Sequence, residues 1–129
     1  MTATPDLSDR IRAAVITYLD RIGTASSSQI AELYAIDATL EDPAGSPTRT
    51  GRAEITDFYR GLDNVDAHAE LLTLRISGTT AAFHFRVTTN LPQATVVVEP
   101  IDVMTFDQTG HITSMRAIWS PADMTMTPS

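Results

Sequence analysis

The stretch AHAELLTLRISGTTAAFHFRVTTN, residues 67–90, carries the pattern that decides the fold. Apolar and polar side chains alternate along both of its halves, which is the period of a half-buried β-strand. Between the halves stands Ser77-Gly78-Thr79, a composition typical of a tight turn. Because short turns join antiparallel neighbours, we predict a β-hairpin over residues 67–90.

Two further segments continue the strand pattern towards the C-terminus. They are QATVVVEPIDVMTFD, residues 93–107, and HITSMRAIWS, residues 111–120. Pro100 interrupts the longer segment and predicts a bulge or bend there, because proline cannot donate to a sheet ladder. The last nine residues, 121–129, are predicted to form a loosely ordered tail.

The N-terminal half has the period of helices instead. Residues 7–22 place apolar side chains three and four positions apart, and a second, short helix capped by Ser27 or Ser28 and a third over about 52–61 follow. Residues 37–42 read as a strand that ends at a proline. Helices followed by a run of strands are typical of the α+β class. We predict one domain, residues 1–129, in which three helices cover the concave face of a curved antiparallel sheet and leave a cone-shaped pocket.

The composition excludes several classes of function. The chain has no cysteine and no lysine, so disulfides, thiolate nucleophiles and lysine Schiff bases are excluded. Its net charge of −7 and its scattered arginines argue against nucleic acid or an anionic membrane surface as a partner. No apolar run is long enough to cross a membrane and no secretory signal is visible, so we predict a cytoplasmic protein. The three histidines lack metal-ligand spacing, so we predict no metal site.

Two aspartates occupy apolar positions of their predicted strands. Asp42 shares a face with Ala38 and Leu40, and Asp102 shares a face with Val98 and Met104. A buried carboxylate is costly unless it is hydrogen-bonded or protonated, so two such positions in one small domain suggest a shared functional cavity. The plainer alternatives are a turn cap at Asp42, which precedes Pro-Ala-Gly, and an ion pair with an arginine.

All three tyrosines, Tyr18, Tyr34 and Tyr59, lie on the apolar stripes of the predicted helices. Any one of them taken alone is best explained as a core tyrosine with its hydroxyl at the rim of the core. Three helices on one sheet, however, would direct all three hydroxyls towards the same cavity. A cluster of phenols and carboxylic acids with apolar walls suits proton transfer next to a carbonyl group.

Three segments carry a resemblance to a known family. ATLEDPAGS, VVVEPIDVMTF and ITSMRAIWS, together with Tyr18, closely resemble the bacterial Δ5-3-ketosteroid isomerases over roughly residues 10–120. The resemblance implies the α+β fold of nuclear transport factor two, a homodimer through the outer face of the sheet, and no cofactor. It also implies an enzyme that moves the C5–C6 double bond of 3-oxo-Δ5 steroids to C4–C5 through a dienolate.

The resemblance also implies roles for single residues. Asp42 would be the general base, and Tyr18 and Asp102 would donate hydrogen bonds to the developing oxyanion, for which Asp102 must be protonated. Tyr34 and Tyr59 would be hydrogen-bonded behind Tyr18. The other implied substrate-binding residues are Trp119, Phe58, Phe85, Met104 and Met115.

The sequence leaves two alternatives open. The same fold hosts dehydratases, polyketide cyclases and epoxide hydrolases, which tend to place a His–Asp pair or an Asp–Arg–Asp set inside the pocket. By strand parity His84 and Arg116 point outwards, and Arg116, like Arg86, is predicted to pair with Glu70 or Glu99. The second alternative is a non-catalytic carrier of apolar, steroid-like ligands, because fold alone does not determine function.

Overall fold

The computed structural model describes residues 6–129 and begins with the predicted amphipathic helix. Helix α1 spans Leu7–Arg21 and is capped by Asp6, whose carboxylate accepts a hydrogen bond from the amide of Asp9 at 2.8 Å. Its inward stripe contains Ile11, Val15, Tyr18 and Leu19, all of which are buried. The helix therefore brings Tyr18 into the interior, as its periodicity predicts.

The second helix is shorter than predicted. Helix α2 spans Ser27–Ala31, and its cap is Ser26 rather than Ser27 or Ser28. Ser26 is favoured because Gln29, three residues on, completes a capping box: the Ser26 amide donates to Gln29 Oε1 at 2.9 Å. Tyr34 is not helical, contrary to the prediction, but is the first residue of a strand. Helix α3 spans Arg52–Tyr59 and continues as a 3-10 turn over Arg60–Leu62.

Within residues 6–129, eight strands form one curved sheet. They are β1 Tyr34–Glu41, β2 Arg49–Thr50, β3 Asp66–Ser77, β4 Thr80–Asn90, β5 Ala94–Val98, β6 Ile101–Phe106, β7 Ile112–Ile118 and β8 Met124–Pro128. The order is β2-β1-β7-β6-β4-β5-β8, and β3 pairs with the other side of β4 to form the predicted hairpin. One strand pair departs from the predicted antiparallel sheet, because β1 and β7 run parallel. No short turn joins these two strands, so local sequence does not determine their relative direction.

The C-terminal part of the sheet confirms the predicted break at Pro100 but not the predicted loose tail. Pro100 does break the predicted strand over residues 93–107. The structure divides it into β5, which pairs with the C-terminal half of β4, and β6, which pairs with the N-terminal half of β4. The prediction of a loosely ordered tail is wrong, because residues 124–128 form β8 and pair with β5 in antiparallel register. The backbone groups of β5 that do not face β4 are thereby satisfied, and Met124 lies opposite Val98.

Helices α1, α2 and α3 share one hydrophobic core with the inner face of the sheet. Helix α1 packs on β3, and helix α3 packs on α2 and β1. The α+β class and the helix-covered curved sheet are therefore confirmed. No helix within residues 6–129 has the length and apolar character needed to cross a membrane.

Candidate active site

A cavity of about 340 Å³ lies between the helices and the concave face of the sheet. Seven of the ten predicted site residues line it: Tyr18, Asp42, Phe58, Tyr59, Phe85, Asp102 and Trp119. Strand β6 contributes Asp102, the loop after β1 contributes Asp42, and helices α1 and α3 contribute the phenols of Tyr18 and Tyr59. The cavity is mostly apolar, which suits a bulky ligand with few polar groups.

Asp102 lies on β6 and is one of the most buried side chains in the protein, with only 1% of its surface exposed. Its Oδ1 atom has no hydrogen-bond partner among residues 6–129, although a buried polar atom is normally paired. Burial, and then the nearby charge of Asp42, raise the pKa of Asp102 well above the usual range of an aspartic acid. Asp102 can therefore stay protonated and donate a hydrogen bond into the cavity.

Asp42 follows directly after β1 and is only partly buried. The indole Nε1 of Trp119 donates a hydrogen bond to Asp42 Oδ1 at 2.8 Å. Burial raises the pKa of Asp42, and the bond from Trp119 opposes that rise because it stabilises the charged form. The result is a carboxyl at the cavity wall whose pKa lies above that of an ordinary surface aspartate. Its carboxylate does not cap the turn that follows it, since the amide of Gly45 donates instead to Glu41.

The three tyrosine hydroxyls form one chain. The hydroxyl oxygens of Tyr18 and Tyr59 are 3.1 Å apart, and those of Tyr59 and Tyr34 are 2.7 Å apart. Burial is the main cause that raises the pKa of each of these three phenols well above its usual value. All three hydroxyls therefore remain protonated, and Tyr18, at the cavity end of the chain, has a proton to donate.

Three of the predicted substrate-binding residues do not line the cavity. Tyr34 is fully buried behind Tyr59, at the far end of the hydroxyl chain. Met104 and Met115 are register partners on β6 and β7 and lie entirely within the core. Strand parity correctly predicts that these methionines face inwards, but it carries no information about how deep beneath the cavity they lie.

Other cavity residues were missed at the sequence level: Ile22, Gly61, Leu62, Val87, Val98 and Pro100. Val98 and Pro100 share the parity of Asp102, and Val87 shares that of Phe85. Ile22 and Leu62 follow Tyr18 and Phe58 at helical spacing, so a pattern was present for these five. Gly61, in the 3-10 turn after α3, has no side chain that could contribute to such a pattern.

The charged residues on the outer face partly follow the prediction. Arg86 pairs with Glu70 at 3.0 Å and with Glu99 at 3.2 Å, as predicted. His84 also contacts Glu99, at 3.1 Å, and is not among the cavity-lining residues.

Arg116 pairs with neither Glu70 nor Glu99, contrary to the prediction. Its Nε atom lies 3.1 Å from Glu41 Oε2, because Glu41 and Arg116 are register partners across the parallel pair β1 and β7. Glu41 therefore points away from the cavity, as strand parity predicts. Within residues 6–129, no three histidine, aspartate or glutamate side chains are grouped so that they could hold a metal ion.

A helix-covered curved sheet with two carboxylic acids and two phenols in its cavity can be compared with known proteins. A SnoaL-like domain model matches residues 15–115, and the chain belongs to this family. A curated steroid Δ-isomerase of Nocardioides simplex is 52% identical over 123 residues, which cover 95% of this chain and 100% of that relative. The family resemblance inferred from the sequence is therefore confirmed.

A solved structure shares the fold at lower sequence identity. It belongs to SalBIII, described as an epoxide hydrolase/cyclase-like enzyme with a role in pyran ring formation in the polyether salinomycin. It superposes with a TM-score of 0.83 at 24% identity, over 91% of this chain and 95% of that chain. At this identity the likeness shows the fold alone.

Proposed function

We propose that this chain is a cofactor-independent steroid Δ-isomerase, which moves the C5–C6 double bond of 3-oxo-Δ5 steroids to C4–C5. The observation that carries the proposal is the buried, unpartnered oxygen of Asp102 in the cavity that Tyr18 and Asp42 also line. The 52% identity to a steroid Δ-isomerase over nearly the whole chain supports the same reaction.

In the proposed reaction Asp42 removes a proton from C4 of the steroid. The electron pair of that C–H bond forms a dienolate, and negative charge develops on the C3 oxygen. Tyr18 and protonated Asp102 donate hydrogen bonds to this oxygen, where two donors in a dry site stabilise the developing charge strongly. Asp42 then returns the proton to C6, which leaves the double bond at C4–C5 in conjugation with the ketone.

The hydroxyl chain supports the role of Tyr18. When Tyr34 donates to Tyr59 and Tyr59 donates to Tyr18, the proton of Tyr18 is free to bond the steroid oxygen. Each hydrogen bond of the chain polarises the next, so charge on the steroid oxygen is shared beyond the first donor. Tyr34 therefore acts at a distance and need not touch the substrate.

The alternative reactions on this fold receive less support from the cavity. Neither a histidine nor an arginine is among the lining residues within the described part of the chain, and His84 contacts Glu99 instead. A His–Asp or Asp–Arg–Asp set is therefore not assembled beside Asp42. A non-catalytic carrier would have no need of two perturbed carboxyl groups in an apolar cavity.

A spectrophotometric assay tests the proposed function. The purified chain is mixed with a 3-oxo-Δ5 steroid such as 5-androstene-3,17-dione, and formation of the conjugated enone raises the ultraviolet absorbance. We expect turnover with no added cofactor. Tight binding of the steroid without any rise in absorbance would favour the carrier instead.

The pH dependence follows from the raised pKa of Asp42. The base works only when ionised, so kcat/KM falls as the pH drops through this pKa, and the fall begins at a higher pH than for an ordinary aspartate. Trp119→Phe removes the hydrogen bond that lowers this pKa, so the acid limb of the profile should move to higher pH. An acid limb that stays in place in this variant would contradict the assignment of Asp42 as the titrating base.

We also propose that the chain forms a homodimer through the outer face of the sheet. Ile101 and Ile118 lie opposite each other there, on β6 and β7, and remain 45% and 43% exposed. Light scattering checks this prediction: a dimer should give twice the chain mass, and Ile101→Glu should favour the monomer. A monomeric mass for the unmodified chain would contradict it. The cytoplasmic location remains a prediction from the sequence.

A further inference from the structure

We propose that Glu41 and Arg116 form a clamp that holds the loop after β1 and thereby positions the carboxylate of Asp42. This Glu41–Arg116 clamp rests on the proposed function, in which Asp42 is the base. Glu41 lies next to Asp42 in sequence but faces the opposite side of the sheet, so it has no contact with the cavity. Its role is to position the base, and it takes no direct part in proton transfer.

Both carboxylate oxygens of Glu41 are engaged. Oε1 accepts a hydrogen bond from the backbone amide of Gly45, and Oε2 accepts one from Arg116 Nε at 3.1 Å. These two bonds join the end of β1 to the far side of the loop and to the neighbouring strand β7. The Gly45 amide, followed by Arg116, lowers the pKa of Glu41, so the carboxylate is ionised and both bonds are charge-assisted.

The clamp encloses the loop segment that carries the proposed base. The bond from Gly45 to Glu41 closes a short ring of chain that contains Asp42, Pro43 and Ala44. The same segment is held to β7 by the Ala44 amide, which donates to the carbonyl of Ala117 at 2.8 Å. Gly45 has a φ of +99°, a conformation that glycine adopts without steric cost, so its amide can turn back towards Glu41.

The simpler interpretation is an ordinary exposed ion pair. The side chain of Arg116 is 58% exposed, and such pairs contribute little to stability. Two features of Glu41 argue for a positioning role as well: its side chain is only 20% exposed, and its second carboxylate oxygen accepts a hydrogen bond from the Gly45 amide in the loop. The pair of Glu70 and Arg86, 3.0 Å apart on the same sheet, does not adjoin the Asp42 loop and serves as a matched control.

The test compares Glu41→Ala, Glu41→Gln and Arg116→Ala with Glu70→Ala. A general base displaced by about 1 Å can lose on the order of 100-fold in rate, so we expect Glu41→Ala to lower kcat by about 10- to 100-fold. KM should change by less than about twofold, because the cavity walls are untouched. Glu41→Gln should lose less, since its amide oxygen still accepts from Gly45, and Glu70→Ala should match the unmodified enzyme.

Two further readouts separate positioning from a general structural defect. Estradiol, whose phenol stands in for the dienolate oxygen, should bind the Glu41 variants as tightly as the unmodified enzyme, because Tyr18 and Asp102 are unchanged. The double variant Glu41→Ala/Arg116→Ala should be no slower than Glu41→Ala alone, since both substitutions break the same clamp. Circular dichroism and the melting temperature show whether each variant is folded.

Three results would overturn the clamp. The first is a kcat of folded Glu41→Ala within about twofold of that of the unmodified enzyme. The second is a loss of estradiol affinity in Glu41→Ala as large as its loss of kcat. The third is a shift of the acid limb of its pH profile with an unchanged plateau. The last result would assign Glu41 an electrostatic effect on Asp42 instead. An unmodified chain with no turnover contradicts the proposed function itself, so the two failures are distinguishable.

Discussion

Asp42→Asn should remove nearly all turnover, with kcat lower by about 100- to 10,000-fold, the range that a general base contributes. Asparagine has almost the shape of aspartate but cannot accept a proton near neutral pH. The indole of Trp119 can still donate to the amide oxygen at this position, so the cavity wall should keep its form. The loss should therefore appear in kcat, measured by the rise in enone absorbance under saturating steroid.

A matched control for this variant is Asp57→Asn. Asp57 lies on α3 beside the cavity-lining Phe58, but its side chain is on the surface and pairs with Arg60 at 3.0 Å. Because surface substitutions usually have little effect on the fold, Asp57→Asn should leave kcat within about twofold of the unmodified enzyme. Estradiol binding should survive in Asp42→Asn, because the proposed donors to the phenol oxygen are intact. If Asp42→Asn kept more than about a tenth of the activity, a general-base role would be excluded.

Tyr18→Phe should lower kcat by about 100- to 1,000-fold, the effect of removing one oxyanion donor. The substitution removes only the hydroxyl, so the edge-to-face contacts of the ring with Tyr59 and Phe83 can remain. Protonated Asp102 would still donate to the steroid oxygen, which is why activity should not vanish. The same absorbance assay measures this loss, and estradiol binding should weaken in parallel because the phenol loses a partner.

Tyr34→Phe is the control at the other end of the hydroxyl chain. This variant also removes a hydroxyl, but from a residue that does not line the cavity, so Tyr59 loses one neutral hydrogen bond. We expect kcat to fall by roughly fivefold, which corresponds to about 1 kcal/mol. Equal losses in Tyr18→Phe and Tyr34→Phe would contradict direct donation by Tyr18. Such a result would indicate that the chain acts as a structural unit.

The strand patterns predicted which carboxyl groups face inwards, because strand parity depends on local geometry. Alternation along β6 predicts that Asp102 faces the core, and Asp102 is almost completely buried. The same rule separates Asp42 from Glu41, and the structure places only Asp42 on the cavity. A period-two pattern contains this information because neighbouring side chains of a strand point to opposite faces.

What could not be predicted depends on contacts between distant parts of the chain. The parallel pairing of β1 with β7 joins residues about 75 positions apart in sequence, and no turn signal announces it, so the pairing of Arg116 with Glu41 was missed. The strand β8 was missed because its pairing partner β5, and not its own composition, makes it a strand. Tyr34 was placed on a helix because its spacing continued the stripe of α2, which ends at Ala31.

Ala117 links the two carboxyl groups of the site through the backbone. It is the register partner of Asp102 on one side, and on the other its carbonyl accepts the amide of Ala44, in the loop that carries Asp42. The spacing between the two acids is thus a property of the sheet, whereas Tyr18, Phe58 and Leu62 come from helical segments. Substitutions in the helical wall can therefore change the outline of the cavity while the sheet keeps Asp42 and Asp102, the proposed base and the proposed oxyanion donor, at a constant separation.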